Sequence, residues 1–290
     1  MARCCSRPVL VGLVLAAASC GGTEHQSASA VWSDDQSEVL VVISRWEQGV
    51  VGYMGAHSLD NFRFEVRTYS LDGTRLRTIV NETAGESNRA WYMRSAGYAL
   101  LRYVAGDCCT ASQPYVTERI SLDGSRQTLE SGLATTWLPS PDGSVLAHVG
   151  GLVGDCSPLG VCTHMLTFFD ARTLDPLGAP TAIDFANGEQ RYLFWTPSAE
   201  LYAYSESSAF DTGYMSVLVT PGSPPRPVEP LPCTQDMPRP SILPQTSSDF
   251  VSHDGRLLRA AVNDAGDVTL SVEDSGMPGW PGACFPDAAP

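Results

Sequence analysis

The sequence predicts an all-β protein assembled from five successive sheets. Three observations carry that prediction. A strand-and-turn segment recurs along the chain, Val-, Leu- and Tyr-rich runs are bounded by Gly, Pro and Asp, and no segment sustains a 3.6-residue apolar period. The 290 residues include 26 Gly and 21 Pro, a share of about 16% where ~12% is usual, which favours turns over long helices. With 43% hydrophobic and 17% charged residues, the composition is that of a packed globular chain. No uninterrupted apolar run reaches the ~20 residues of a membrane-spanning helix. Net charge is −14 and all 18 basic residues are Arg, so a basic nucleic-acid groove is excluded as an expectation.

The repeats justify the sheets one by one. Thr68-Tyr69-Ser70-Leu71-Asp72-Gly73 returns as Arg119-Ile120-Ser121-Leu122-Asp123-Gly124, 51 residues later. Phe168-Phe169-Asp170-Ala171-Arg172-Thr173, Val217-Leu218-Val219-Thr220-Pro221-Gly222 and Leu270-Ser271-Val272-Glu273-Asp274-Ser275-Gly276 follow, roughly 46–53 residues apart. A second element precedes each: an aromatic, a turn, then an apolar strand. Its fullest copy is Trp137-Leu138-Pro139-Ser140-Pro141-Asp142-Gly143-Ser144-Val145-Leu146-Ala147-His148-Val149. Looser copies begin at Trp32, Trp91, Trp195 and Phe250. Asp-Gly suits the turn because Gly accepts positive φ and Asp hydrogen-bonds the backbone beside it. Val39-Leu40-Val41-Val42-Ile43 is apolar at every position, which predicts a strand buried on both faces.

Ser140-Pro141-Asp142-Gly143, with Leu146-Ala147 after it, resembles the TolB-like repeats of bacterial β-propellers, relatives of WD repeats. The resemblance is full in one copy and loose in four, and the five span residues 30–275. It implies a β-propeller of five four-stranded blades, with six or seven allowed if a degenerate copy is hidden. The competing fold is a β-sandwich whose turns fall at these spacings by chance.

Arg3 and Arg7 precede an apolar stretch, Val9 to Ala18, of signal-peptide length. It ends in Ala17-Ala18-Ser19-Cys20-Gly21-Gly22, which resembles the lipobox of bacterial lipoproteins, with Ala17 where Leu is commoner. The resemblance implies removal of residues 1–19 and acylation of Cys20, hence a partner in the membrane through a lipid anchor. Gly21 in place of Asp implies attachment to the outer membrane of a bacterial cell envelope. Residues 20–29 read as a flexible tether, 30–276 as the folded domain and 277–290 as a Pro/Gly-rich tail. Six further cysteines, Cys108, Cys109, Cys156, Cys162, Cys233 and Cys284, suit disulfides in an exported chain. Candidate pairings include a local Cys156–Cys162 staple, an equally acceptable Cys108–Cys156 bond between neighbouring repeats, and Cys233–Cys284 near the C-terminus. No paired C-x-x-C occurs and His164 stands alone beside Cys162, so neither a metal nor a cofactor is expected.

The connections between the first apolar strand of each repeat and the next differ in length: roughly 46–61, 105–114, 150–164, 205–213 and 263–267. They are expected to share one face, where loops on a rigid scaffold carry function. The candidate ligand residues there are Trp46, Glu47, Tyr53, His57, Asp60, Asp107, Asp155, Glu206 and Asp211. Such an aromatic and acidic rim suits a sugar, a peptide or a cation. G-x-S-x-G, H-E-x-x-H and phosphate-loop motifs are absent. His148 lies in an apolar strand and reads as a core residue. Asp34, Asp35, Asp142 and Asp254 could supply the paired carboxyls of a glycosidase, although three of them sit in the repeated turn. The expectation is a non-enzymatic envelope lipoprotein binding a protein or glycan, with a polysaccharide hydrolase or lyase as the alternative.

Overall fold

The structure is a computed structural model that describes residues 23–51, 56–105, 115–132, 136–140, 142–186, 191–196, 198–206, 210–231, 249–251 and 256–274. Among these residues the regular structure is strand throughout. The strands form five antiparallel meanders in chain order. The first contains β1 (Thr23–Trp32), β2 (Glu38–Val51), β3 (Ala56–Ser70) and the opening part of β4 (Arg75–Met93). β4 then continues as the first strand of the second meander, with β5 (Tyr98–Ala105), β6 (Tyr115–Ser121) and β7 (Arg126–Gly132). The third holds β8 (Thr136–Pro139), β9 (Val145–Leu152), β10 (Val161–Asp170) and β11 (Thr181–Ala186). The fourth holds β12 (Arg191–Trp195), β13 (Leu201–Glu206), β14 (Tyr214–Val219) and β15 (Arg226–Pro227). The fifth holds β16 (Asp249–Val251), β17 (Arg256–Val262) and β18 (Val268–Asp274). A fourth strand for this last sheet would fall on residues outside those described.

Apolar layers fill the spaces between the first four sheets in turn, and between the fifth and the first. Leu40, Val42, Phe64 and Val66 of the first meet Tyr92, Leu101 and Tyr103 of the second. The opposite face of the second, Met93, Tyr98 and Leu100, meets Trp137, Leu146 and Ala171 of the third. Leu166, Phe168 and Phe185 of the third meet Trp195, Leu201 and Val219 of the fourth. Ala30, Val39, Val41 and Ile43 of the first also meet Leu258 and Ala260 of the fifth, so the series returns on itself. Val39, Leu40, Val41, Val42 and Ile43 are between 0% and 3% exposed, as a strand packed on both faces requires. Sheets stacked face to face in chain order, with the last against the first, make a β-propeller, and the meanders are its blades. This excludes the β-sandwich.

The turns repeat one chemistry. Ser140 Oγ accepts the Val145 amide at 2.9 Å and donates to Asp142 at 2.6 Å. Ser33 does the same with the Glu38 amide, at 3.0 Å, and with Asp35, at 2.7 Å. Asp35 rather than Asp34 is therefore the counterpart of Asp142. Thr196 takes the Ser position in the fourth blade and accepts the Glu200 amide at 3.1 Å. The Asp34 amide donates to the Tyr92 carbonyl at 2.9 Å, its carboxylate is hydrogen-bonded by Ser95, and it lies against Gly143. Turns of blades 1, 2 and 3 thus converge on Asp34, which marks the first strand of each blade as the inner one.

Two segments differ from expectation. Residues 23–29, read as tether, extend β1, because the long edge of β2 offers backbone partners from Gln48 to Val42. Residues 46–61, read as a loop, are mostly a continued β2–β3 ladder reaching Val51 and Ala56. The tail, Cys20 and Asp254 lie outside the described residues.

Candidate functional site

In an antiparallel meander, the connections after second strands and the links between blades leave from one end. That end is the rim opposite the Asp34 turns. The first blade stands proud there, since β2 and β3 have 14 and 15 residues where β5 has 8 and β13 has 6. On the upper part of its blade-2 face, three rings form a row across three strands. His25 stacks on Trp46 at 5.9 Å, and Trp46 stacks on Phe62 at 6.3 Å. The row follows from register, His25 being opposite Trp46 on a shared face. Its other face carries charge: Arg63 pairs with Glu24 at 2.7 Å, and Asn61 donates to Glu47 at 2.8 Å.

The sequence-derived candidates distribute as follows. Trp46 joins the aromatic row and Glu47 the polar face. His57 and Asp60 stand in β3, opposite Val50 and Glu47. Tyr53, Asp107, Cys108, Cys109, Cys233 and Cys284 lie outside the described residues. Asp155 is exposed immediately before the loop closed by the Cys156–Cys162 disulfide. That bond settles the local pairing and removes the Cys108–Cys156 alternative. Glu206 accepts from the Tyr204 hydroxyl. Asp211 lines an open concavity of about 610 Å³ with Phe210, Tyr214, Met215, Val228 and Glu229, on the outer edge of blade 4. Tyr214 donates to Glu229 there at 3.0 Å, a bond that pushes the phenol's pKa up. Among the described residues, no hydrogen bond, ion pair or ring contact joins two candidates from different blades.

The turn carboxylates are fully occupied. Burial pushes Asp35 upward, but hydrogen bonds from Ser33, Ser37 and Arg94 outweigh it and bring the carboxyl to about 2. Asp142 is likewise held low by Ser140 and Ser144 against the effect of burial. Acids kept ionised by turn hydrogen bonds are poor proton donors.

Sequence reasoning passed over a cationic pair. Arg89 on the inner strand of blade 2 stands directly opposite Arg102 on β5. They are 8% and 6% exposed. Arg102 lies over the Tyr115 ring at 4.3 Å. Arg89 Nε and Nη1 are sealed from solvent without a hydrogen-bond partner. Burial first, and then the Arg102 charge, pull Arg89 down to about 9, so it stays protonated at neutral pH. Thr117 and Glu130 continue the row across β6 and β7. Glu130 accepts from Trp137 Nε1 at 3.3 Å and lies 3.2 Å from His148 Nε2. Burial pushes the His148 pKa down despite Glu130, which keeps the ring neutral near pH 7. His148 also stacks on Trp137 at 4.3 Å, a core placement. The available sequence signal was a charge inside an otherwise apolar two-faced strand, Tyr98-Ala99-Leu100-Leu101-Arg102-Tyr103-Val104. Among the described residues no group of three His, Cys, Asp or Glu could hold a metal.

No family model and no curated protein matches the chain. Among solved structures, the chain is similar to the β-propeller domain of the Trilobed protease from Pyrococcus furiosus, at TM-score 0.43 and 9% identity over 87% of this chain and 69% of that one. It is similar to the acylaminoacyl peptidase of Pyrococcus horikoshii, at TM-score 0.41 and 9% identity, over 88% of this chain and 39% of that one. It is also similar to the periplasmic gluconolactonase of Pseudomonas aeruginosa, at TM-score 0.40 and 12% identity, over 85% of this chain and 72% of that one.

Proposed function

We propose that this chain is a lipid-anchored protein of the bacterial cell envelope, with TolB-like repeats, whose propeller binds a glycan on its rim without transforming it. Cys20 is the anchor, acylated after removal of residues 1–19 and attached to the outer membrane. The observation that carries the binding reading is the His25–Trp46–Phe62 row, raised on the extended β1–β3 end of blade 1. The partly exposed rings of His25 and Trp46 offer apolar surface to the C–H faces of sugar rings, with Phe62 buried beside Trp46.

The test is an array of envelope saccharides probed with purified full-length protein. Wild type retains at least one saccharide class, and Trp46→Ala weakens that signal about tenfold, the loss of roughly 1.4 kcal/mol. Leu159→Ala, at a 72% exposed position on blade 3, leaves it unchanged. Release of reducing ends from a bound saccharide would establish the hydrolase or lyase alternative and overturn this reading. Cys20→Ala frees the protein from the membrane fraction; unchanged sedimentation with membranes would refute lipidation.

A further inference from the structure

We infer that Arg89 and Arg102 form a binding site for a single carboxylate at the boundary of blades 2 and 3. It does not depend on glycan capture at the rim. Two like charges directly opposite on adjacent strands repel. Both residues are more than nine-tenths buried, and in such surroundings an unpaired charge is costly. Arg is not relieved by losing its proton. Two nitrogens of Arg89 lack any partner, and Arg102 is supported on one side by the Tyr115 ring.

The local charge count fixes the ligand's valence. Arg89 and Arg102 bring two positive charges, Glu130 brings one negative charge, and His148 is neutral. Glu130 is directed to Trp137 and His148 and stands beyond Thr117 in the cross-strand row. One positive charge is left over among these residues, which a monoanion balances. Arg89 keeps unused N–H donors at Nε and Nη1, each of which a carboxylate oxygen can accept through a charge-assisted hydrogen bond. Both residues belong to the rim half of blade 2. Arg102 is near the end of β5, and Tyr115 opens β6 immediately after the connection between them.

Thermal denaturation of the full-length protein tests the site, using sodium glucuronate, sodium propionate, glucose and sodium chloride at matched ionic strength. A carboxylate ligand in hundredfold excess over its Kd raises the midpoint by about 5 °C. Glucose and chloride do not. A rise with glucuronate alone assigns the carboxylate to an acidic sugar, and a rise with both acids assigns the site to small carboxylates generally. Arg89→Met abolishes the rise, and without ligand it melts no lower than wild type because a repelling charge is gone. Arg102→Met, on the second strand, repeats the loss of response and serves if the first variant is poorly folded. An equal rise with chloride or glucose, no rise with either acid, or an undiminished rise in both variants would overturn the site. So would a ligand-free midpoint that falls in both variants. Saccharide capture lost by Trp46→Ala but retained by Arg89→Met would leave the rim reading standing without this one.

Discussion

Asp35 shows how a turn carboxylate contributes to stability. Its folded value of about 2 lies below the unfolded 3.8, so its contribution is complete above pH 3.8 and disappears as pH falls toward 2. The side chain is 34% exposed, which screens the effect to about 1 kcal/mol. Asp35→Asn is therefore expected to lower urea stability by about 1 kcal/mol at pH 7, with the gap to wild type closing toward pH 2. A gap independent of pH would mean the loss is steric. Gly143 makes a sharper demand. Its φ is +68°, and an added Cβ would collide with the Asp34 carboxylate. Gly143→Ala is expected to cost about 2 kcal/mol, read as a lower denaturation midpoint. The Asp-Gly chemistry of this turn was legible in the sequence, since only adjacent residues are involved. That Asp34 reaches the third blade was not, because the contact is made by closing the ring. Arg102 was visible as a charge in an apolar strand, but its partner Arg89 follows only from strand register.

Strands were legible where hydrophobic pattern and turn residues agreed. Val39–Ile43 and Leu201–Tyr204 are examples, flanked by hydroxyl-bearing turns. Residues 23–29 were not legible, because Thr23-Glu24-His25-Gln26-Ser27-Ala28-Ser29 has no apolar alternation. That strand forms because β2 is long enough to pair with it. The same partner aligns His25 with Trp46, so the aromatic row was hidden for the same reason. The short loop closed by Cys156 and Cys162 is a local staple, six residues apart in sequence. Replacing both by Ser is expected to cost about 2 kcal/mol through the loop-closure term alone. Hydrogen exchange should rise in β9 and β10 and stay unchanged in the first two blades.

A ring of blades requires a final junction, and among the described residues the fifth blade meets the first. Among the described residues this junction contains no shared strand. It rests on Leu258 and Ala260 against Val39, Val41 and Ile43, and on polar links. Arg67 donates to the Gly266 carbonyl at 2.8 Å and is paired with the buried Glu65. Gln26 donates to the Asn263 carbonyl, and Arg256 lies over the Trp32 ring at 4.7 Å. Leu258, fully buried, is expected to cost 2–5 kcal/mol when replaced by Ala, roughly as other core leucines do. Arg67→Met leaves Glu65 with Arg45 at 3.7 Å and Arg75 at 3.9 Å, so its expected cost is smaller, about 2 kcal/mol. Both losses would be read by chemical denaturation. Residual folding of blades 2 to 4 after either change would show that the junction opens before the rest unfolds.

The continuous β4 has a mechanical corollary. Its 19 residues run from the fourth strand of blade 1 into the first strand of blade 2 without a break, so blades 1 and 2 share a single covalent beam. Pulled from its two ends, the molecule should part first between its last and first sheets and surrender that fused pair late, giving an extension trace whose rupture order runs opposite to chain order.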